Sequence, residues 1–262
     1  MTEAFYLQEA ADRFVPTELT RGPWDAGAQH GGPPSALAGH AIENRPDARA
    51  DMRVTRLSVE LMRPVPIAPL NVTTRVVHGG RSVEVVEAVL TPDDGRPVLR
   101  ASAQRIRTDP DADHAADPQP AVRPPDGLPE KPFPLPYEVA YHTGIETRFA
   151  SGAFSEPGPA TCWMRMRVPL VEGHLIAPLS RALIAADSGN GVSGVLDWRD
   201  YVFINPDLSV HLHRYPEGEW VCIESCTTLG GAGIAMADTA MHDVRGPIGR
   251  AAQSLLIAPR PG

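Results

Sequence analysis

The stretch RLSVELMRPVP at 56–66 returns almost intact as DLSVHLHRYPEG at 207–218, with L-S-V-x-L-x-R in both. A second pair, GRPVLRASAQRI at 95–106 and RGPIGRAAQSLLI at 245–257, recurs at nearly the same separation of about 150 residues. Two matches at one offset indicate an internal duplication, and this constrains the fold more than any other feature: whatever one half forms, the other forms again. Between the copies, residues 109–136 are dense in Pro, Asp and Ala and carry little apolar periodicity. Such a segment reads as an extended linker lying over a surface. The chain therefore divides into an N-terminal repeat at 1–108, a linker at 109–136 and a C-terminal repeat at 137–262.

Each repeat offers one helix and then strands. In the first, PPSALAGHAIENRP at 33–46 has prolines at its start, apolar residues at helical spacing and Pro46 beyond its end. RVTRLSVELMRP, LNVTTRVVHG, RSVEVVEAVLT and PVLRASAQRIR follow, alternating and rich in Val, Thr and Ile, with Gly-Gly and Asp-Asp-Gly at the turns. The second repeat continues the pattern with VLDWRDYVFI, DLSVHLHRYP, EWVCIESCTTL, AGIAMADTAMHD and PIGRAAQSLLIA. Its helix is SRALIAADSGNG at 180–191, where Ser180 can cap the start and Gly-Asn-Gly ends it. A helix followed by an antiparallel meander, twice, is an α+β arrangement with helices against one sheet face. Edge-to-edge pairing of the two sheets would remove an exposed edge strand from each.

A net charge of -8 argues against a nucleic-acid partner, which calls for a basic stripe. No apolar run approaches the ~20 residues of a membrane span, and MTEAFYLQEA does not read as a signal peptide. Cys162, Cys222 and Cys226 are odd in number and lack metal-type spacing, which fits reduced thiols in a cytoplasm.

The order of several motifs is more specific. Trp24 ahead of HGGPPSAL, SVELMRPVP, Gly80-Arg81 before SVEVVEA, AADSGNG, INPDLSVHLHR and Gln253 together resemble the acyl-CoA thioesterase II family and its actinobacterial thioesterase-like relatives. The resemblance covers nearly the whole chain apart from the linker. It implies a double hotdog fold, two tandem repeats each with one helix wrapped by a curved antiparallel sheet. It also implies a cytoplasmic hydrolase of fatty acyl-CoA that uses no cofactor and no metal, with CoA thioester as substrate; a homo-oligomer of double hotdog units is compatible with it. In that family an Asp on the second-half helix, a Thr on the next strand and a Gln on the last strand hold and activate the attacking water. Asp187 and Gln253 match the first and third positions. The Thr position falls on Asn205, a departure from the family pattern.

The residue chemistry is coherent with those roles. Asp187 shares the apolar face of Leu183 and Ile184 near a helix C-terminus, where burial and the helix dipole both oppose a carboxylate. There it can act as general base toward water. Gln253 is an amide among Ala251, Leu255 and Ile257, and Asn205 offers both donor and acceptor to a water. His30, Gly31 and Gly32, in QHGGPP before the first helix, form the candidate substrate-binding element, since two glycines let backbone N–H groups approach a thioester oxygen. Each has a plainer reading. Asp187 can serve the Ser188-Gly189 turn, Gln253 can be a satisfied core amide, Asn205-Pro206 can be an ordinary turn, and QHGGPP a Gly-rich loop with His30 as a capping residue.

Other signals are weaker. No G-x-S-x-G elbow occurs, since GVSG at 191–194 lacks the spacing. His211 and His213 share a strand face without a nearby third ligand. Arg165 and Arg167 in WMRMRV offer either a dock for CoA phosphates or a solvated face. A non-catalytic acyl-CoA or lipid-binding hotdog protein, in which Asn205 marks lost activity, is the competing reading, and a hotdog hydratase is a third.

Overall fold

The two L-S-V stretches lie side by side. In the computed structural model, which describes residues 4–109, 111–112 and 122–260, they form β3 (Met52–Leu61) and β10 (Asp207–Leu212). These pair antiparallel, with Leu57 opposite Val210, Ser58 opposite Ser209 and Val59 opposite Leu208. Ser58 thus faces its equivalent Ser209 across a local two-fold axis, which passes between their hydroxyls, 3.4 Å apart.

This pairing fuses two sheets into one. On the first side lie β1 (Tyr6–Ala10), β2 (Arg13–Pro16), β4 (Leu70–Gly79), β5 (Val83–Pro92) and β6 (Leu99–Arg107). On the second lie β7 (Ile145–Ala153), β8 (Glu156–Met166), β11 (Trp220–Gly231), β12 (Ile234–Asp243) and β13 (Gly246–Pro259). The described strands run in the order β1-β2-β4-β5-β6-β3-β10-β13-β12-β11-β8-β7, and β9 (Tyr201–Ile204) adds to the end of β13. Every named pairing is antiparallel, as the meander pattern requires. The first strand also reaches the second repeat: Phe5 and Tyr6 donate backbone bonds to Pro169 and Leu170, and Tyr6 bridges Val171.

The helices fill the inner side. α1 (Gly32–Glu43) is buried from Gly32 through His40 and again at Ile42, so it reads apolar all round. It packs on α3 (Pro178–Ala186) at Gly39, where an added Cβ would stand 2.6 Å from Leu183 Cδ1. Leu37, Ile42, Leu179 and Leu183 are essentially unexposed, each burial worth ~1.5–3 kcal/mol. One apolar core extends over both repeats.

Several boundaries differ from those read off the sequence. α3 begins at Pro178 after an Ala177 cap, so Ser180 lies inside the helix and does not cap it. Gly-Asn-Gly does not stop the helical path: after Asp187 a further turn, α4 (Gly189–Val192), follows. Residues 195–200 form no strand, with a turn at 198–200, and β9 starts only at Tyr201. β1, β2 and β7, along with the single turn α2 (Tyr141–Gly144), had no counterpart in the sequence reading.

Of the Pro-rich stretch, residues 110 and 113–121 lie outside the described residues. Residues 122–128 of its remainder pack against the outer side of the second sheet. Leu128 and Val122 pack on Trp163 and Cys222, and the Trp163 indole donates to Arg123 O at 2.7 Å. Trp163 points away from the core that its strand neighbours Cys162 and Met164 fill, and the linker shields it.

Candidate active site

Asp187 closes α3 as its C-cap, with its carboxylate 2% exposed. A charge there survives only where donors converge on it. Three side chains supply them. Asn205, just ahead of β10, donates from Nδ2 to Asp187 Oδ1 at 2.8 Å. Gln253, on the inward face of β13, donates from Nε2 to the Asp187 backbone oxygen at 3.1 Å and to Oδ1 at 3.3 Å. His30 places Nδ1 at 2.9 Å from Oδ2. Gln253 is itself held, accepting the Asn190 N–H at 3.1 Å.

The start of α1 brings His30 there. The Gln29 backbone donates to Val65 O, and the Tyr6 hydroxyl and Pro66 O fix its side chain. The His30 N–H donates to Thr20 O at 2.7 Å. The close approach demands glycine at the next position, because a Cβ on Gly31 would stand 2.9 Å from both Asp187 oxygens. Pro33 and Pro34 bring no N–H to the first turn, and the Gly32 N–H points at His30 Nδ1, 3.1 Å away, which leaves the Gly31 amide as the donor at the cavity wall.

His30 Nδ1 also lies 3.1 Å from the Gly32 nitrogen, and it cannot accept that N–H while donating to Asp187. A lone pair aimed at a carboxylate oxygen is repelled, so the proton belongs on Nδ1, directed at Oδ2. The imidazole stacks on Tyr141 with centroids 3.8 Å apart and planes within 4°. The Tyr141 hydroxyl lies 3.0 Å from both Ile184 O and Ser188 Oγ, and burial pushes its pKa well above the usual phenol value. Tyr141 is therefore a neutral, fixed platform.

Beside this cluster opens a cavity of about 700 Å³, whose wall includes His30, Gly31, Asp187, Asn205 and Asn190. The rest of it is largely apolar and aromatic, with Trp24, Phe133, Phe154, Trp198 and Phe203 prominent. The Pro-rich segment contributes Phe133, whose ring meets Phe154 edge-on at 4.8 Å. Gln253, 1% exposed, stands behind Asp187 and is not part of the cavity wall.

All six residues singled out from sequence thus fall in one place: Asp187, Asn205 and Gln253 in direct contact, His30 against Asp187, and Gly31 and Gly32 at the helix start beside them. Tyr141, Phe133 and Trp198 line the cavity without a period or motif in sequence that marks them, whereas Asn190 falls within AADSGNG without a role assigned to it from sequence. Arg165 and Arg167 are engaged with Glu146, Glu219 and Glu130, away from the cavity wall. His211 is exposed on β10, and His213 Nε2 lies 3.0 Å from Pro247 O. Among the described residues no group of three His, Cys, Asp or Glu converges as metal ligands.

Strand register sets Ala252 opposite Ser209 and Ser102 opposite Ser58, so Gln253 corresponds to Ala103; by the same numbering Asn205 corresponds to Val54. Both counterparts are buried apolar residues. Among the described residues, the first repeat has no amide at these two positions.

The family description "Acyl-CoA thioesterase N-terminal domain" matches residues 20–106, and "Acyl-CoA thioesterase C-terminal domain" matches 117–257. The chain belongs to the acyl-CoA thioesterase family. No curated protein matches its sequence. Similar solved structures include a candidate thioesterase II from Thermobifida fusca, 20% identical with TM-score 0.77, covering 98% of each chain. A hot dog fold protein of unknown function from Alicyclobacillus acidocaldarius is 16% identical with TM-score 0.76, covering 99% of this chain and 97% of that one. The acyl-CoA thioesterase II TesB2 of Mycobacterium marinum is 13% identical with TM-score 0.69, covering 98% of this chain and 96% of its own. At these identities the likeness establishes the hotdog fold. No helix among the described residues of this thioesterase-family chain is long and apolar enough to cross a membrane.

Proposed function

We infer that the chain is a cytoplasmic enzyme hydrolysing fatty acyl-CoA to free fatty acid and CoA, built as two tandem hotdog repeats with one working site. The observation that carries this reading is the Asp187–Asn205–Gln253–His30 cluster set into the wall of an apolar cavity, in a chain of the acyl-CoA thioesterase family. The acyl group lies along the aromatic wall, in a cavity of a size that suits a ligand. The thioester carbonyl meets the Gly31 N–H, where the start of α1 favours a developing oxyanion.

A water beside Asp187 and Asn205 is then positioned for attack on the carbonyl carbon. Asn205 does the orienting work of a hydroxyl through its amide, and Gln253 holds Asp187 in place from behind. No step in this scheme calls on a cofactor or metal. Incubation of the purified protein with straight-chain acyl-CoAs of increasing length, read by release of free thiol, tests the reading. Thiol release from at least one chain length supports it. Tight binding without release transfers support to the non-catalytic binder, and hydration of an enoyl-CoA to the hydratase.

A further inference from the structure

Asp187 is already occupied. Oδ1 receives Asn205 Nδ2 and Gln253 Nε2, and Oδ2 faces His30 Nδ1. Three donors thus already converge on its two oxygens. His30 is placed differently. Its Nδ1 edge is taken by Asp187, its face is held flat on Tyr141, and its side chain is 17% exposed in the cavity wall. Nε2 makes no hydrogen bond to any described residue, so with the proton on Nδ1 it presents a lone pair to whatever enters.

We propose that His30 is a catalytic residue, the group that takes and returns the proton during thioester hydrolysis, with Asp187 orienting it and stabilising its charged form. This rests on the hydrolase reading above. His30 Nε2 removes a proton from the attacking water as the water oxygen bonds to the carbonyl carbon and the C=O π pair moves onto oxygen. When that pair returns, the C–S bond breaks, its electrons go to sulfur, and the Nε2 proton passes to the departing thiolate. The products are the free acid and the CoA thiol, and His30 ends neutral as it began. The arrangement is an oriented base next to an oriented acceptor, assembled from the start of α1 in one repeat and the end of α3 in the other.

The test uses the full chain and thiol release from acyl-CoA. His30→Ala lowers kcat by roughly 10²–10⁴-fold while its thermal midpoint stays within a few degrees of wild type, and added imidazole restores rate in proportion to its concentration. His30→Ala costs at least as much as Asp187→Asn, and the double variant is no slower than the worse single one, as expected of groups that act as a unit. His30→Ala retaining more than about a third of kcat, or a folded His30→Ala variant that imidazole does not revive, overturns the proposal and leaves the hydrolase reading standing. If His30→Ala fails to fold, His30→Gln keeps the bulk without the basic nitrogen, and a His30→Gln enzyme of near wild-type rate overturns it equally. A wild-type protein that releases no thiol from any acyl-CoA overturns both.

Discussion

Replacing Asp187 by Asn probes the site with almost no change of shape. The amide oxygen can face Asn205 Nδ2 and Gln253 Nε2, now at 2.8 and 3.3 Å from Oδ1. The NH₂ then turns toward His30 Nδ1, 2.9 Å from Oδ2, and drives the imidazole proton to the far nitrogen. The cavity side of the ring thus changes from acceptor to donor, a tautomer error of the kind that costs serine proteases ~10⁴ in rate. A loss in kcat of roughly 10²–10⁴-fold is expected, with KM little changed because the acyl chain is held by the aromatic wall. Stability moves far less. Weaker bonds to three donors cost ~1 kcal/mol each, and relief from burying a carboxylate offsets them. The net shift is a few degrees in Tm at most. Thiol release and a thermal melt on one purified variant check both halves. A variant with full kcat and a Tm lowered by 10 °C or so would show Asp187 to be a helix-end brace and refute the reasoning.

Gly31→Ala puts a methyl 2.9 Å from both Asp187 oxygens, so the carboxylate or α1 must shift. A fall in kcat of roughly tenfold or more is expected from such misplacement, and wild-type kinetics would remove the argument for close approach. Phe133→Ala opens the cavity wall contributed by the linker; losing part of the ring's burial, ~1.4 kcal/mol, raises KM about tenfold for chains that touch it. Acyl groups long enough to reach the ring should lose relative to shorter ones across an acyl-CoA series, and an unchanged profile counts against Phe133 as a wall. Burial, and then the neighbouring His174, lower the His40 pKa to about 4. Between about pH 6.5 and 4 the folded protein therefore binds fewer protons than the unfolded chain. Stability should fall across that window as pH drops, by up to ~3 kcal/mol, and Tm against pH should be flatter in His40→Gln; equal slopes would contradict this.

The duplication was readable because L-S-V-x-L-x-R sits on the strands at the join, where both neighbours are strands and one side faces the core, so residue type is tightly set. The helices were readable through Gly-Gly-Pro-Pro and the run around Leu183. β7 was not, because Glu146, paired with Arg148 and Arg165, is buried beside Ile145 and Thr147, erasing the inside-outside alternation. Within the site, Asp187, Asn205 and Gln253 came into view through a resemblance, and residue chemistry made the grouping sensible. The pairing of His30 with Asp187 spans most of the chain and depends on how two helix ends meet, which no local pattern records. The strand ladders set Ala103 of the first repeat in the place of Gln253, a core residue where the second repeat carries an amide.

That last substitution shows what joining two copies in one chain makes available. In a dimer of identical subunits the two sites about the axis are encoded by the same codons, so any residue that improves packing at one site is imposed on the other. A single polypeptide carrying both copies is free of that restriction. Here one pole of the pseudo-dimer holds Asn205 and Gln253, while the other holds Val54 and Ala103 as plain core. The first repeat keeps its sheet and lends the second the end of its helix, His30 and Gly31 included. Symmetry survives in the scaffold and is broken where the chemistry would be done, giving an asymmetric division of labour between halves of common shape.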